Sequence, residues 1–189
     1  MKKPIIAGVF AVLIMLQIAI PVSMIAKREV TLKYGAAFKF KTAPVDPYDA
    51  FRGRYVALSM EQGKAPALPG LVMQYGEKVY AVLSVDETGF AKVTGVTRTK
   101  PDDIPGGAFL EARVAYTKED GYVYLDWPMD RYYMEESAAP RAEALYWQHS
   151  TSKQRDAQVV VRVLDGFAVI EGLYIDGRRI EAVLKEKAK

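Results

Sequence analysis

The chain has 189 residues, half of them hydrophobic, which suffices for one domain with a packed core plus a short extra element. Its 26 Lys+Arg and 23 Asp+Glu give a formal net charge of +3. Setting aside Lys2 and Lys3 leaves 24 basic against 23 acidic side chains, without the basic excess of a nucleic-acid binder. The absence of cysteine excludes disulfides, a thiolate nucleophile and Cys-ligated zinc or iron–sulfur. A single histidine, His149, excludes a His-based metal cluster, and no cofactor is expected.

The first element is the run from Ile5 to Ile25, which carries no charge and only two polar residues, Gln17 and Ser23. A helix rises 1.5 Å per residue, so about 21 residues cover roughly 30 Å, the hydrocarbon thickness of a bilayer. A core helix of a soluble domain would not be apolar on every face. The run exceeds the apolar region of a cleaved signal peptide, and Met24 and Ile25 occupy positions that a signal cleavage after Ala26 would fill with small residues. A retained anchor is therefore expected. Residues 1–28 form the signal-anchor segment and 29–189 an extracytoplasmic domain. The lipid bilayer is the first partner, and the chain sits as a single-pass protein of the cell inner membrane. Lys2, Lys3 and the terminal amine favour the N-terminus on the cytoplasmic side, leaving the C-terminal domain periplasmic or extracellular.

From Glu29 onward the chain breaks into short alternating runs. Strands are predicted at Val30–Tyr34, Ala37–Thr42, Tyr55–Glu61, Lys78–Val85, Ala91–Thr97, Ala108–Thr117, Tyr122–Leu125, Ala157–Leu164, Phe167–Ile175 and Arg179–Lys185. In Ala37–Thr42, Lys39 and Lys41 alternate with Phe38 and Phe40, the period of a half-buried strand. Asp165-Gly166 and Asp176-Gly177 read as two-residue hairpin turns, which makes the last third a meander of three antiparallel strands. One helix is predicted, near Ala139–His149, with Pro140 in its first turn. Gly63–Gly70 and Lys100–Gly107 are dense in proline and glycine and read as exposed connections. The fold class is mainly β: an N-terminal transmembrane helix followed by an antiparallel β-sandwich or barrel-like domain with one short helix.

The densest chemistry lies in Pro44–Glu61, PVDPYDAFRGRYVALSME. Asp46 and Asp49 bracket Pro47-Tyr48, where aspartate side chains can cap the amides of a turn. Arg52 and Arg54 bracket Gly53, where the chain bends before the strand at Tyr55. In that strand Val56, Leu58 and Met60 share one face and Tyr55, Ala57 and Ser59 the other. The segment resembles the signature of the uncharacterised bacterial GDYXXLXY family. Pro44, Asp46, Pro47, Asp49, Arg52 and Gly53 match its lead-in, and Gly53, Tyr55 and Leu58 match the motif itself. Arg54 stands where the family has Asp, and Met60 where it has the final Tyr. Asp130-Arg131-Tyr132-Tyr133 is similar to a second family segment. The resemblance implies a membrane segment followed by an extracytoplasmic β-rich domain, and it implies no activity. A guanidinium at position 54 cannot serve as a metal ligand or general base, so either the family's aspartate is structural, which is the favoured reading, or this member has lost a function.

The candidate cluster is Asp46, Asp49, Arg52, Gly53, Tyr55, Asp130, Arg131 and Tyr132. It reads either as an ion-pair lattice that fixes a long loop or as a cleft lined by arginine and tyrosine. No catalytic residue is expected. His149 beside Ser150 lies at a helix C-terminus, where histidine usually meets the helix dipole and terminal carbonyls. Trp127 and Trp147 read as packing residues. The leading function is a non-enzymatic binding or accessory component of an envelope or membrane complex, with a membrane-protein or envelope partner and no nucleic acid. The alternatives are an envelope hydrolase using a Ser–Lys dyad through Ser59, and a receptor for a small acidic or sugar ligand at the Asp/Arg/Tyr cluster.

Overall fold

A computed structural model describes residues 2–43, 55–61, 63–66, 73–102, 104, 107–118, 121–151 and 156–186. The chain opens on a single continuous helix, α1 (Lys2–Tyr34), of 33 residues. At 1.5 Å per residue it is about 50 Å long, and its apolar part is long and apolar enough to cross a membrane. Val30–Tyr34, expected as a strand, is the end of this helix. The reason is contact with the domain: the last turns of α1 pack against strands β10 and β11, defined below. Thr31 is 1% exposed there, and its hydroxyl donates to the carbonyl of Lys27 at 2.9 Å.

Two five-stranded antiparallel sheets follow, with a two-stranded ribbon between them. In chain order the strands are β1 (Ala36–Ala43), β2 (Tyr55–Ala57), β3 (Ser59–Met60), β4 (Lys64–Pro66), β5 (Lys78–Val85), β6 (Ala91–Thr97), β7 (Ala108–Thr117), β8 (Tyr122–Asp126), β9 (Arg131–Tyr133), β10 (Ala157–Leu164), β11 (Phe167–Ile175) and β12 (Arg178–Arg179). Helix α2 (Ala139–Thr151) precedes β10, and α3 (Ile180–Glu186) follows β12. The first sheet runs β12-β11-β10-β1-β3 and the second β4-β8-β7-β5-β6. In the second, β4 returns against β6, so the sheet is nearly closed and barrel-like. The ribbon pairs β2 with β9.

The Asp165-Gly166 turn joins β10 to β11 as expected. Both residues have positive φ, 50° and 81°, as do Asp176 and Gly177 at 49° and 70°, the geometry of a type I′ hairpin. The meander then departs from expectation. After two residues of β12 the chain turns into α3, so Arg179–Lys185 is mostly helix and the domain has a second helix of its own. Ile180, Val183 and Leu184 recur at i, i+3 and i+4 and are all buried, which satisfies a helix and not a strand. Gly63–Gly70, expected as a connection, contains β4. Pro66 is tolerated because β4 is an edge strand paired only with β8.

The core lies between the sheets and under the helices. Phe40, Val79, Leu83, Leu110, Val159 and Leu173 are fully buried. Each such side chain contributes roughly 1.5–3 kcal/mol, so this set outweighs any exposed ion pair, typically worth about 1 kcal/mol or less. Helix α2 is tied to β1 by a hydrogen bond from the Tyr146 hydroxyl to the Ala43 carbonyl at 3.1 Å. Burial pushes the Tyr146 phenol above its ordinary pKa. Trp147, expected to pack, instead stands about half exposed on the outer side of α2, whose buried face is Ala142, Leu145, Tyr146 and Ser150.

Candidate functional site

The segment predicted as one strand, Tyr55–Glu61, divides at Leu58. Its first part pairs with β9, in register Tyr55↔Tyr133, Val56↔Tyr132 and Ala57↔Arg131. The Leu58 amide then donates to the Asp130 carbonyl at 2.8 Å, and the second part joins the edge of the first sheet through Thr42↔Met60. The expected alternation holds across the break: Val56, Leu58 and Met60 are buried. One short stretch thus ties the ribbon to the main sheet.

The ribbon has two faces. On one, Tyr132 is 8% exposed and its hydroxyl donates to Oε1 of Glu181 on α3. Burial first, and then the Glu181 carboxylate, push the Tyr132 phenol up to about 12. Glu181 Oε2 has no hydrogen bond, and Arg179 Nε lies 3.9 Å from it. On the other face Tyr133 is 63% exposed, and its ring meets that of Tyr55 with centroids 5.6 Å apart. Arg131 lies over Tyr55 at 5.2 Å from the ring centroid, and its Nε is 3.4 Å from Asp130 Oδ2. The Tyr133 hydroxyl, followed by the Asp130 carboxylate, raises the Arg131 pKa. Tyr55, Asp130 and Arg131 are therefore grouped, while Tyr132 belongs to a separate, buried pair. Asp46, Asp49, Arg52 and Gly53 lie outside the described residues.

Beside the ribbon is a cleft of about 350 Å³. Leu58–Glu61 form one wall, Tyr116 and Tyr124–Trp127 the other, and Lys64 and Asp130 also border it. The pairing of β7 with β8 shifts register between Val114 and Tyr116. Such a bulge re-aims side chains. Here Tyr116 stacks on Tyr124 with centroids 4.3 Å apart, and Lys118 stands over Tyr124 at 5.0 Å. Trp127 packs on Phe40, centroids 6.2 Å apart, and is 8% exposed. Its indole Nε1 is buried and has no hydrogen-bond partner among the described residues. Nε1 lies beneath Gly63, where a Cβ would stand 3.9 Å from it.

Sequence reading placed Trp127 among packing residues, which is half of its role. The cleft was not legible, because it assembles from β3, the turn before β4, and β8, segments far apart in the chain. His149 and Ser150 have different partners among the described residues. His149 Nδ1 is 2.8 Å from Asp156, and the fully buried Ser150 hydroxyl donates to the Trp147 carbonyl at 3.1 Å. Among the described residues no group of three or more His, Cys, Asp or Glu could hold a metal ion.

These features define a mainly antiparallel β domain carried on one long apolar N-terminal helix, with an aromatic cleft at the seam of its sheets. The chain belongs to the GDYXXLXY protein family, whose model matches residues 17–173. The match begins inside α1 and ends within β11. No curated protein and no solved structure matches the chain.

Proposed function

We propose that this protein is a single-pass anchor of the inner membrane whose β domain faces away from the cytoplasm and binds another envelope component through the Trp127 cleft. What supports the binding reading is the cleft itself, about 350 Å³ and bordered by Tyr116, Tyr124 and Trp127. Asp126 and Lys64 also border the cleft, which suits a polar segment of a partner protein. The occupant supplies apolar area to Leu58, Met60 and Met129. The anchor reading is supported by the length and apolarity of α1 and by Lys2 and Lys3 at its tip.

The test is a photo-crosslinking residue placed at Tyr116, which borders the cleft, and at the strongly exposed Tyr75 as control, in membranes of intact cells. A discrete adduct is expected at position 116, lost in Trp127→Phe, with none at position 75. Equal capture at both positions, or none at 116, sinks the reading.

A second reading, an envelope hydrolase, draws on Ser59 and Lys64 bordering the same cleft. A Ser–Lys pair needs the amine within hydrogen-bond reach of the hydroxyl. Lys64 Nζ instead stands over the Tyr122 ring, 5.0 Å from its centroid. Labelling by a serine-reactive probe that disappears in Ser59→Ala would establish this reading, and an unlabelled wild type would remove it.

A further inference from the structure

The junction of helix and domain holds a second pocket, which shares Met129 and Asp130 with the Trp127 cleft. It has a volume of about 180 Å³ and is bordered by Arg28 of α1, by Asp130, Arg131 and Tyr133 of the ribbon, and by Ala168 and Ile170 of β11. Two guanidiniums from different elements share one concavity. Arg131 is held by Asp130 and stacked on Tyr55, which fixes its plane while leaving further N–H donors for an occupant. The Asp130 charge is offset by Arg131, so Arg28 leaves the pocket net positive.

We propose that this pocket holds the phosphodiester of a membrane phospholipid. The inference rests on reading α1 as the membrane anchor. Arg28 follows the last residue of the apolar run, Ile25, by three positions, about 4.5 Å along the helix axis, which is headgroup depth. The domain cannot swing away from that depth, because helix and sheet meet without a linker. The Gly35 amide donates to the Thr31 carbonyl at 2.8 Å, Arg162 donates to the Gly35 carbonyl at 3.2 Å, and Lys27 Nζ rests over the Phe167 ring at 4.2 Å. The anchor itself therefore brings lipid to the pocket. The guanidinium fork matches phosphate oxygens, and an exposed tyrosine such as Tyr133 is the side chain favoured at a headgroup interface. Ala168 and Ile170 offer apolar contact to the glycerol end of the lipid.

The test uses the full chain, purified in detergent, delipidated and titrated with phosphatidylglycerol, with bound lipid counted by native mass spectrometry. One retained phospholipid per chain is expected, weakened about tenfold in Arg28→Gln, the loss of one charge-assisted phosphate contact. Arg98→Gln, whose guanidinium pairs with Glu77 elsewhere, should bind as the wild type does. Arg28 is exposed, so its variant folds even if Arg131→Ala does not. Equal lipid binding by Arg28→Gln overturns the inference. So does equal retention of diacylglycerol, which lacks the phosphate, or displacement of the lipid by millimolar inorganic phosphate, which would mark a site for the free anion. Cell fractionation separates the two levels: loss of the wild type from membranes sinks the anchor reading, whereas membrane retention with unchanged lipid binding in Arg28→Gln sinks this inference alone.

Discussion

The two ends of α1 are one helix in two surroundings. From Ile6 to Ile25 it has no buried residue and is apolar all round. From Lys27 to Tyr34 it is mostly polar, yet Thr31 is sealed against the domain and Gly35 closes the junction. The first part is long and apolar enough to cross a membrane, and none of the described residues covers its side chains. The second is set by packing, because β10 and β11 lie against it. A helix that spans both environments without a break transmits position: whatever fixes the span also fixes the domain's height and orientation.

The sharpest way to break the contrast is at Gly35. A Cβ there would stand 2.5 Å from the Thr31 carbonyl oxygen and 3.1 Å from the Val163 amide nitrogen, both backbone atoms that cannot turn aside. Gly35→Val should destabilise the domain by about 3 kcal/mol, lowering the thermal midpoint by roughly 6–12 °C, with the chain still in the membrane fraction. Met15→Arg, at the middle of the apolar run, should do the reverse. It costs about 2.5–3.5 kcal/mol of insertion, read as loss from membranes, and leaves the melting of the domain unchanged. If both substitutions moved both readouts, the two halves of α1 would not be separable.

Tyr132→Phe probes the ribbon and α3, away from the junction. It removes the hydroxyl that donates to Glu181 Oε1 and should cost about 1–2 kcal/mol in chemical denaturation. It also carries a pH signature. The Tyr132 phenol sits near 12 when folded against an ordinary value of 10, so the folded state holds its proton more tightly. The stabilisation is fully present below pH 10 and is lost as pH rises toward 12, because there the unfolded chain releases the proton first. Wild-type stability should fall across that window more steeply than that of Tyr132→Phe. The smallest effect is expected at Phe167→Leu, which keeps apolar bulk and removes the ring under Lys27. A loss of about 0.5–1 kcal/mol in domain stability would match an exposed cation–π contact, and no loss would show that the junction rests on Thr31 and Gly35 alone.

Legibility followed the range of the interactions. Strands β5, β6, β10 and β11 were readable to the residue, since alternation and a turn of the right chemistry bound each of them. Val30–Tyr34 was misread because Val30 and Thr31 favour strands locally, while the helix there is imposed by docking against a distant hairpin. In Arg179–Lys185 the helical spacing of Ile180, Val183 and Leu184 was present in the chain, but the preceding hairpin suggested that pairing would continue. Within the candidate cluster, sequence proximity joined Tyr132 to Arg131. The pleat of β9 turns them to opposite faces, one toward Glu181 and one toward Tyr55.

The sequence by itself determined the apolar helix, the mainly antiparallel β class, the Asp-Gly hairpins and the family, because each rests on composition, periodicity or a contiguous motif. Only the tertiary structure decided where α1 ends, which face of the ribbon each tyrosine takes, and that Trp127 comes to line a cleft. Those depend on which remote segments meet, and on whether a buried polar atom finds its partner among them.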